Sequence, residues 1–112
     1  MKIYISGAIT GLPFNEAKNN FEAMAAIIEH SGNEPINPFD VGLPEGEEHT
    51  WEEYMLADMP HLFAADAIYM LNNWQQSKGA RIEKAIMEIL DKPVFYQASS
   101  LPIQAQAMRS GN

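Results

Sequence analysis

The chain has 112 residues, 46% of them apolar and 20% charged, with no Cys and a formal net charge of -8. That length points to one soluble globular domain that buries roughly two thirds of the surface its unfolded form exposes, and the absence of Cys excludes disulfides and thiolate metal sites. Seven Lys plus Arg against fifteen Asp plus Glu repel polyphosphate backbones, so a small molecule is expected as partner rather than a nucleic-acid polymer.

Met1-Lys2-Ile3-Tyr4-Ile5 is too short an apolar start for a signal peptide, and no apolar run approaches the ~20 residues of a membrane span. A cytoplasmic location with no membrane partner is expected. Ile3 to Ile5 favour a strand that ends at Ser6-Gly7, and Ala8 to Pro13 form a loop with a Gly and a Pro. From Phe14 to about Glu29, the residues Phe14, Ala17, Phe21, Met24, Ala25 and Ile28 recur at the spacing of an amphipathic helix. Ser31-Gly32-Asn33 ends it. Pro35-Ile36-Asn37-Pro38 holds a short strand, and its prolines suit a sheet edge. Residues 38–50 show no periodicity and read as a loop of thirteen, long enough for a binding loop.

Thr50 with Glu53 forms a capping box that starts a second helix, carrying Trp51, Tyr54, Met55, Met59 and Leu62. Pro60 is expected to kink or split that helix, since its ring removes a backbone donor. Ala67 to Leu71 reads as the central strand, apolar on both faces. Asn72 to Gln76 form a polar loop. A third helix runs from Ser77 to Leu90, with Ala80, Ile82, Ala85, Ile86, Ile89 and Leu90 as its apolar positions, and Asp91-Lys92-Pro93 ends it. Val94-Phe95-Tyr96 is a last short strand, and residues 97–112 read as a polar tail with little to pack.

The alternating order argues for an α/β fold: a Rossmann- or flavodoxin-like three-layer α-β-α sandwich with a mainly parallel sheet of about four strands and right-handed crossovers. Ligands bind such sheets at the carboxyl ends of the strands. The segment from Ser6 to Gly11, the loop from Pro38 and the loop before Ser77 should therefore line one crevice. Its reactive candidates are Glu83, Ser77, Tyr4 and Asp58. Ser77-Lys78-Gly79 reads either as an ordinary N-cap or as an anion site on a helix N-terminus. Glu83 and Asp58 read equally as solvated helical carboxylates, and Asp66 as a turn residue. His30, His49 and His61 lack metal-ligand spacing, so no metal is expected. Met55, Met59, Met70 and Met87 sit at core-like positions.

Three segments together, Lys2 to Gly11, Asp58 to Ile68, and Ser77-Lys-Gly79-Ala-Arg-Ile-Glu83, resemble the nucleoside 2-deoxyribosyltransferase-like family over roughly residues 2 to 96. The resemblance is strongest to 2'-deoxynucleoside 5'-phosphate N-hydrolases and to an uncharacterised bacterial and phage branch. It implies a domain over residues 1–96 that attacks an N-glycosidic bond with retention and needs no cofactor. The nucleophile at C1' would be Glu83; Asp58 would orient the sugar and handle protons, and Tyr4 would position the carboxylate. Expected substrate contacts are Ser6, Gly7, Ile9, Ser77, Gly79 and Arg81, with Ser77 on a 5'-phosphate. Arg81 and Ile82 stand where small or aromatic residues are usual in the family, and Asn73-Trp74 differs from the nucleotide hydrolases. The family's fifth strand and final helix are expected to be lacking.

A homo-oligomer, most simply a dimer, is expected, since Trp51, Tyr54, Met55, Met59, Leu62 and Phe63 are more apolar surface than one short helix buries. Two other readings compete. A catalytically silent nucleotide-binding module would need Ser77 but not the carboxylates. A signalling receiver would want an acidic pair after the first strand, where Ser6-Gly7 stands.

Overall fold

Four strands, β1 (Lys2–Ser6), β2 (Glu34–Ile36), β3 (Ala67–Met70) and β4 (Val94–Phe95), form one sheet in the order β2-β1-β3-β4 in the computed structural model, which describes residues 1–43 and 49–103. Every pairing is parallel: Tyr4 lies opposite Ile36 on one side and Ile68 on the other, and Tyr69 lies opposite Phe95. The α/β sandwich expected from the alternation is therefore the observed fold. The centre of the sheet is shared by β1 and β3, however, rather than held by β3 alone.

Alternation along the strands divides the core between two faces. Ile3, Ile5, Ala67, Tyr69 and Leu71 pack with Phe21 and Ile28 of α1 (Phe14–His30). Tyr4, Ile68 and Met70 pack on the other face with Leu62 of α3 (Trp51–Ala64) and with Ala80 and Met87 of α4 (Lys78–Ile89). Asp66 fixes the turn into β3 by accepting a hydrogen bond from the Lys2 backbone N–H at 2.7 Å. Lys92 joins two helix ends: it follows Asp91, which closes α4 at a φ of 57°, and its Nζ donates to the carbonyls of Phe63 and Ala65 at the end of α3.

Four expectations are corrected. The loop from Pro38 begins with a one-turn helix, α2 (Pro38–Val41), because Asn37 Oδ1 accepts from the Phe39 N–H and Pro38 needs no donor at the first helical position. Residues 44–48 of that loop lie outside the described residues. Pro60 does not split α3, which runs as one helix through it. The Leu56 carbonyl that loses its donor belongs to the solvent side, where Leu56 and Pro60 are both exposed and water can serve. On α4, Ile82, Ile89 and Leu90 are exposed and the buried stripe is Ala80, Glu83 and Met87. The start of the tail does pack: a 3-10 turn at Ala98–Ser100 delivers buried Leu101 to the α1 face, and the Pro102 carbonyl accepts from Asn33. Residues 104–112 are outside the described part. Among the described residues no helix is long and apolar enough to cross a membrane.

Candidate active site

The strand order reverses between β1 and β3, and a cavity of about 500 Å³ opens beside that point. Its floor is β1. Tyr4 and Ser6 project from that strand toward α3 and α4, where they meet Glu83. The Tyr4 hydroxyl donates to Glu83 Oε2 at 2.9 Å, and Ser6 Oγ donates to Oε1 at 2.6 Å. Each carboxylate oxygen thus has its own hydroxyl, and the group is 6% exposed.

Asp58 of α3 lines the same cavity and shares the Tyr4 hydroxyl. Burial pushes Glu83 up to about 7, against the lowering effect of the Ser6 and Tyr4 hydrogen bonds, and the Asp58 charge adds to the rise. Burial likewise pushes Asp58 up to about 6, opposed by Tyr4 and by His61. Burial and then the two carboxylates hold the Tyr4 phenol well above its ordinary value, so it stays neutral. Two carboxyls that share one phenol titrate as a pair. Between about pH 6 and about pH 7 the pair holds one proton, an arrangement suited to general acid–base and nucleophilic chemistry.

Glycines let backbone close around this pair. A Cβ on Gly42 would lie 2.6 Å from the Pro38 carbonyl oxygen and 2.9 Å from Asp58 Oδ1, so the chain leaving α2 approaches the carboxylate only as glycine. Gly7 is held as tightly, with Leu71 Cβ 2.7 Å from its would-be side chain. The Ala8 N–H next to it donates to Asn73 Oδ1, which ties the loop after β1 to the loop after β3.

Tyr4, Ser6, Gly7, Ile9, Asp58, Ser77, Gly79 and Glu83 all border the cavity, as do Pro38, Phe39 and Gly42, so the segments from Ser6 and from Pro38 converge as expected, while the loop before Ser77 reaches the lining only at Ser77 itself. Arg81 does not: it is exposed on α4 and absent from the lining. Ser77 is the N-cap of α4, with Oγ accepting from the Ala80 N–H at 3.1 Å. The sequence reading missed the aromatic wall formed by Phe14 and Phe39 in edge contact at 5.8 Å, by Trp51 with Lys78 over its ring at 4.0 Å, and by Tyr54 against His49 at 5.4 Å. Met55, expected in the core, lines the wall beside Gly79. Asn37-Pro38, a cap followed by proline, was the available signal that the loop turns back toward the site. Among the described residues no group of three or more His, Cys, Asp or Glu side chains is placed to hold a metal.

Residues 1–96 match the model of a family described as a domain of unknown function, DUF4406. No curated protein matches the chain. Among solved structures, a 2-deoxyribosyltransferase from the psychrotolerant bacterium Bacillus psychrosaccharolyticus aligns with a TM-score of 0.64 at 22% identity, covering 98% of this chain and 82% of that one. The likeness is one of fold.

Proposed function

The chain belongs to the DUF4406 family, and for it we propose cleavage or transfer of the N-glycosidic bond of a (deoxy)nucleoside or its 5'-monophosphate. The observation that carries this reading is the buried Glu83 carboxylate, held by two hydroxyls with Asp58 on the same phenol at the floor of an open cavity. The activity printed for the structural neighbour, a 2-deoxyribosyltransferase, supports the same class.

In the first step a Glu83 oxygen attacks C1' while the bond from C1' to the base nitrogen breaks. The bonding pair leaves with the base, which takes the Asp58 proton. The transition state has oxocarbenium character, and a nearby anion stabilises it before closing to a glycosyl ester. Water or a second base, either one giving a proton to Asp58, then attacks C1' as the ester bond to Glu83 breaks and frees the carboxylate. Tyr4 holds the carboxylate through both steps. The aromatic wall takes the base, Gly7, Ile9 and Gly79 border the sugar, and Ser77 with the first N–H groups of α4 faces a 5'-phosphate. The active form is a homodimer, and residues 1–96 form the catalytic domain, onto whose α1 face Leu101 packs.

Incubation with a panel of nucleosides and 5'-monophosphates, followed by chromatography for free base, tests the reading. Base release that disappears in Glu83→Gln is expected. Tight binding of the same ligands with no release would instead favour a silent nucleotide-binding module.

A further inference from the structure

Ser6 stands at the end of β1 with its side chain 1% exposed, on the face that otherwise carries Tyr4, Ile68 and Met70. A buried hydroxyl without a partner is costly, and an apolar side chain would fill such a position by default. Here the hydroxyl has a partner, Glu83 Oε1, at the short distance typical of a hydroxyl donating to a charged oxygen. Its one proton is committed to that bond and is not free for a substrate.

We propose that Ser6 is the positioning residue of Glu83: its hydroxyl fixes one carboxylate oxygen and keeps the group charged, while Tyr4 holds the other. This rests on the reading of Glu83 as the reacting group. The division of labour follows from how many partners each hydroxyl has. Tyr4 is shared between Glu83 and Asp58, so its hold on Glu83 weakens whenever its proton turns toward Asp58. Ser6 bonds to Glu83 alone. The titratable groups around Glu83 are Tyr4 on β1 and Asp58 on α3; His61 acts on Asp58, and His49 borders the cavity. None of them can replace a neutral donor fixed on Oε1. With Ser6 removed, the buried carboxyl keeps its proton to higher pH, and fewer molecules hold the nucleophile.

The test is direct titration of Glu83 by carbon NMR on glutamate-labelled full-length protein without substrate, its signal identified by its absence in Glu83→Gln. Ser6→Ala should raise the midpoint by about one to two pH units, the effect of losing one hydrogen bond to a charged group. Ser6→Cys, a weaker donor of similar size, should fall between, and it serves if the Ala variant folds poorly. The upper limb of kcat/KM against pH, which follows the higher value of the coupled pair, should move in the same order. An unchanged Glu83 midpoint in both variants overturns the proposal, whatever the activity. A moved midpoint in a protein that releases no base from any substrate leaves the Ser6 assignment standing and removes the glycosidase reading instead.

Discussion

At the residue scale, the site is maintained against stability. An acid whose folded pKa lies above its unfolded value favours the fold only while protonated, so its burden is absent below the unfolded pKa, grows as pH rises from there to the folded pKa, and levels off above it. Raising Glu83 from 4.5 to about 7 therefore costs the fold about 3 kcal/mol at pH 8 and little near pH 4.5. Glu83→Gln should abolish base release and yet raise the melting temperature by several degrees at pH 8, with the gain vanishing toward pH 4.5. Calorimetry at the two pH values checks this, and a variant destabilised at pH 8 would show that the carboxylate is not held against desolvation. The proton shared with Asp58 sets the pH dependence of the rate. In the proposed mechanism only the form with one proton on the pair is competent, so kcat/KM should peak between the apparent values of about 6 and about 7. Asp58→Asn leaves Glu83 to ionise alone, with burial still holding it above the ordinary carboxylate range. It should leave a single rising limb set by Glu83, not below that of wild type, abolish the falling limb and slow the reaction about 10²- to 10⁴-fold. A wild-type rate that climbs to a plateau above pH 8 would remove Asp58 as the acid.

At the scale of elements, α4 shows what was legible in the sequence and what was not. Its start at Ser77 and its end at Asp91 are written in cap chemistry, and both hold. Its inward face was misread because Ile82 and Ile89 outweigh a lone Glu in any count of apolar residues. The sheet instead takes the face that carries Ala80 and Met87, and Glu83 goes inward between them because Tyr4 and Ser6 supply its hydrogen bonds. That pairing spans 77 or more residues, so no local pattern announces it. The alternation of strands and helices, the capping box at Thr50 and the edge position of β2 rest on local signals and were readable. The aromatic wall was not, since it joins α1, α2 and α3 across the crevice. Ser77 permits a clean separation of the two readings left open for it. Asp caps a helix as well as Ser does, while Ala costs about 1 kcal/mol. Ser77→Asp should therefore keep the stability of wild type but lose preference for 5'-monophosphates over nucleosides by at least about tenfold, through repulsion of the phosphate. Retention of that preference in the Asp variant would leave Ser77 as a cap alone.

For the whole molecule, the apolar surface offered to a partner consists of other residues than those expected. Of the apolar side chains on α3 expected to cover a neighbour, Trp51, Tyr54 and Met55 border the cavity, Leu62 is buried, and Met59 packs on the core. Those groups are used within one chain. What remains outward is Leu56 at 72% exposure and Phe63 on α3, together with Ile89 at 80% and Ile82 on α4. Each pair is seven residues apart on its helix, and both helices cover the same sheet face, so the four side chains leave that face with two apolar stripes. A two-fold pairing of this face would bury the stripes against their own copies, the self-complementary contact that closed dimers use. The same helices carry Asp58 and Glu83 on their inner sides. A contact on their outer sides would thus brace the elements that hold the carboxylates, without touching either one. Light scattering at micromolar concentration should return twice the 12.5 kDa of one chain. Leu56→Glu with Ile89→Glu should return one, while both substitutions lie on exposed positions that the fold tolerates. A wild-type monomer with full activity would end the dimer proposal and leave the stripes as ordinary exposed surface.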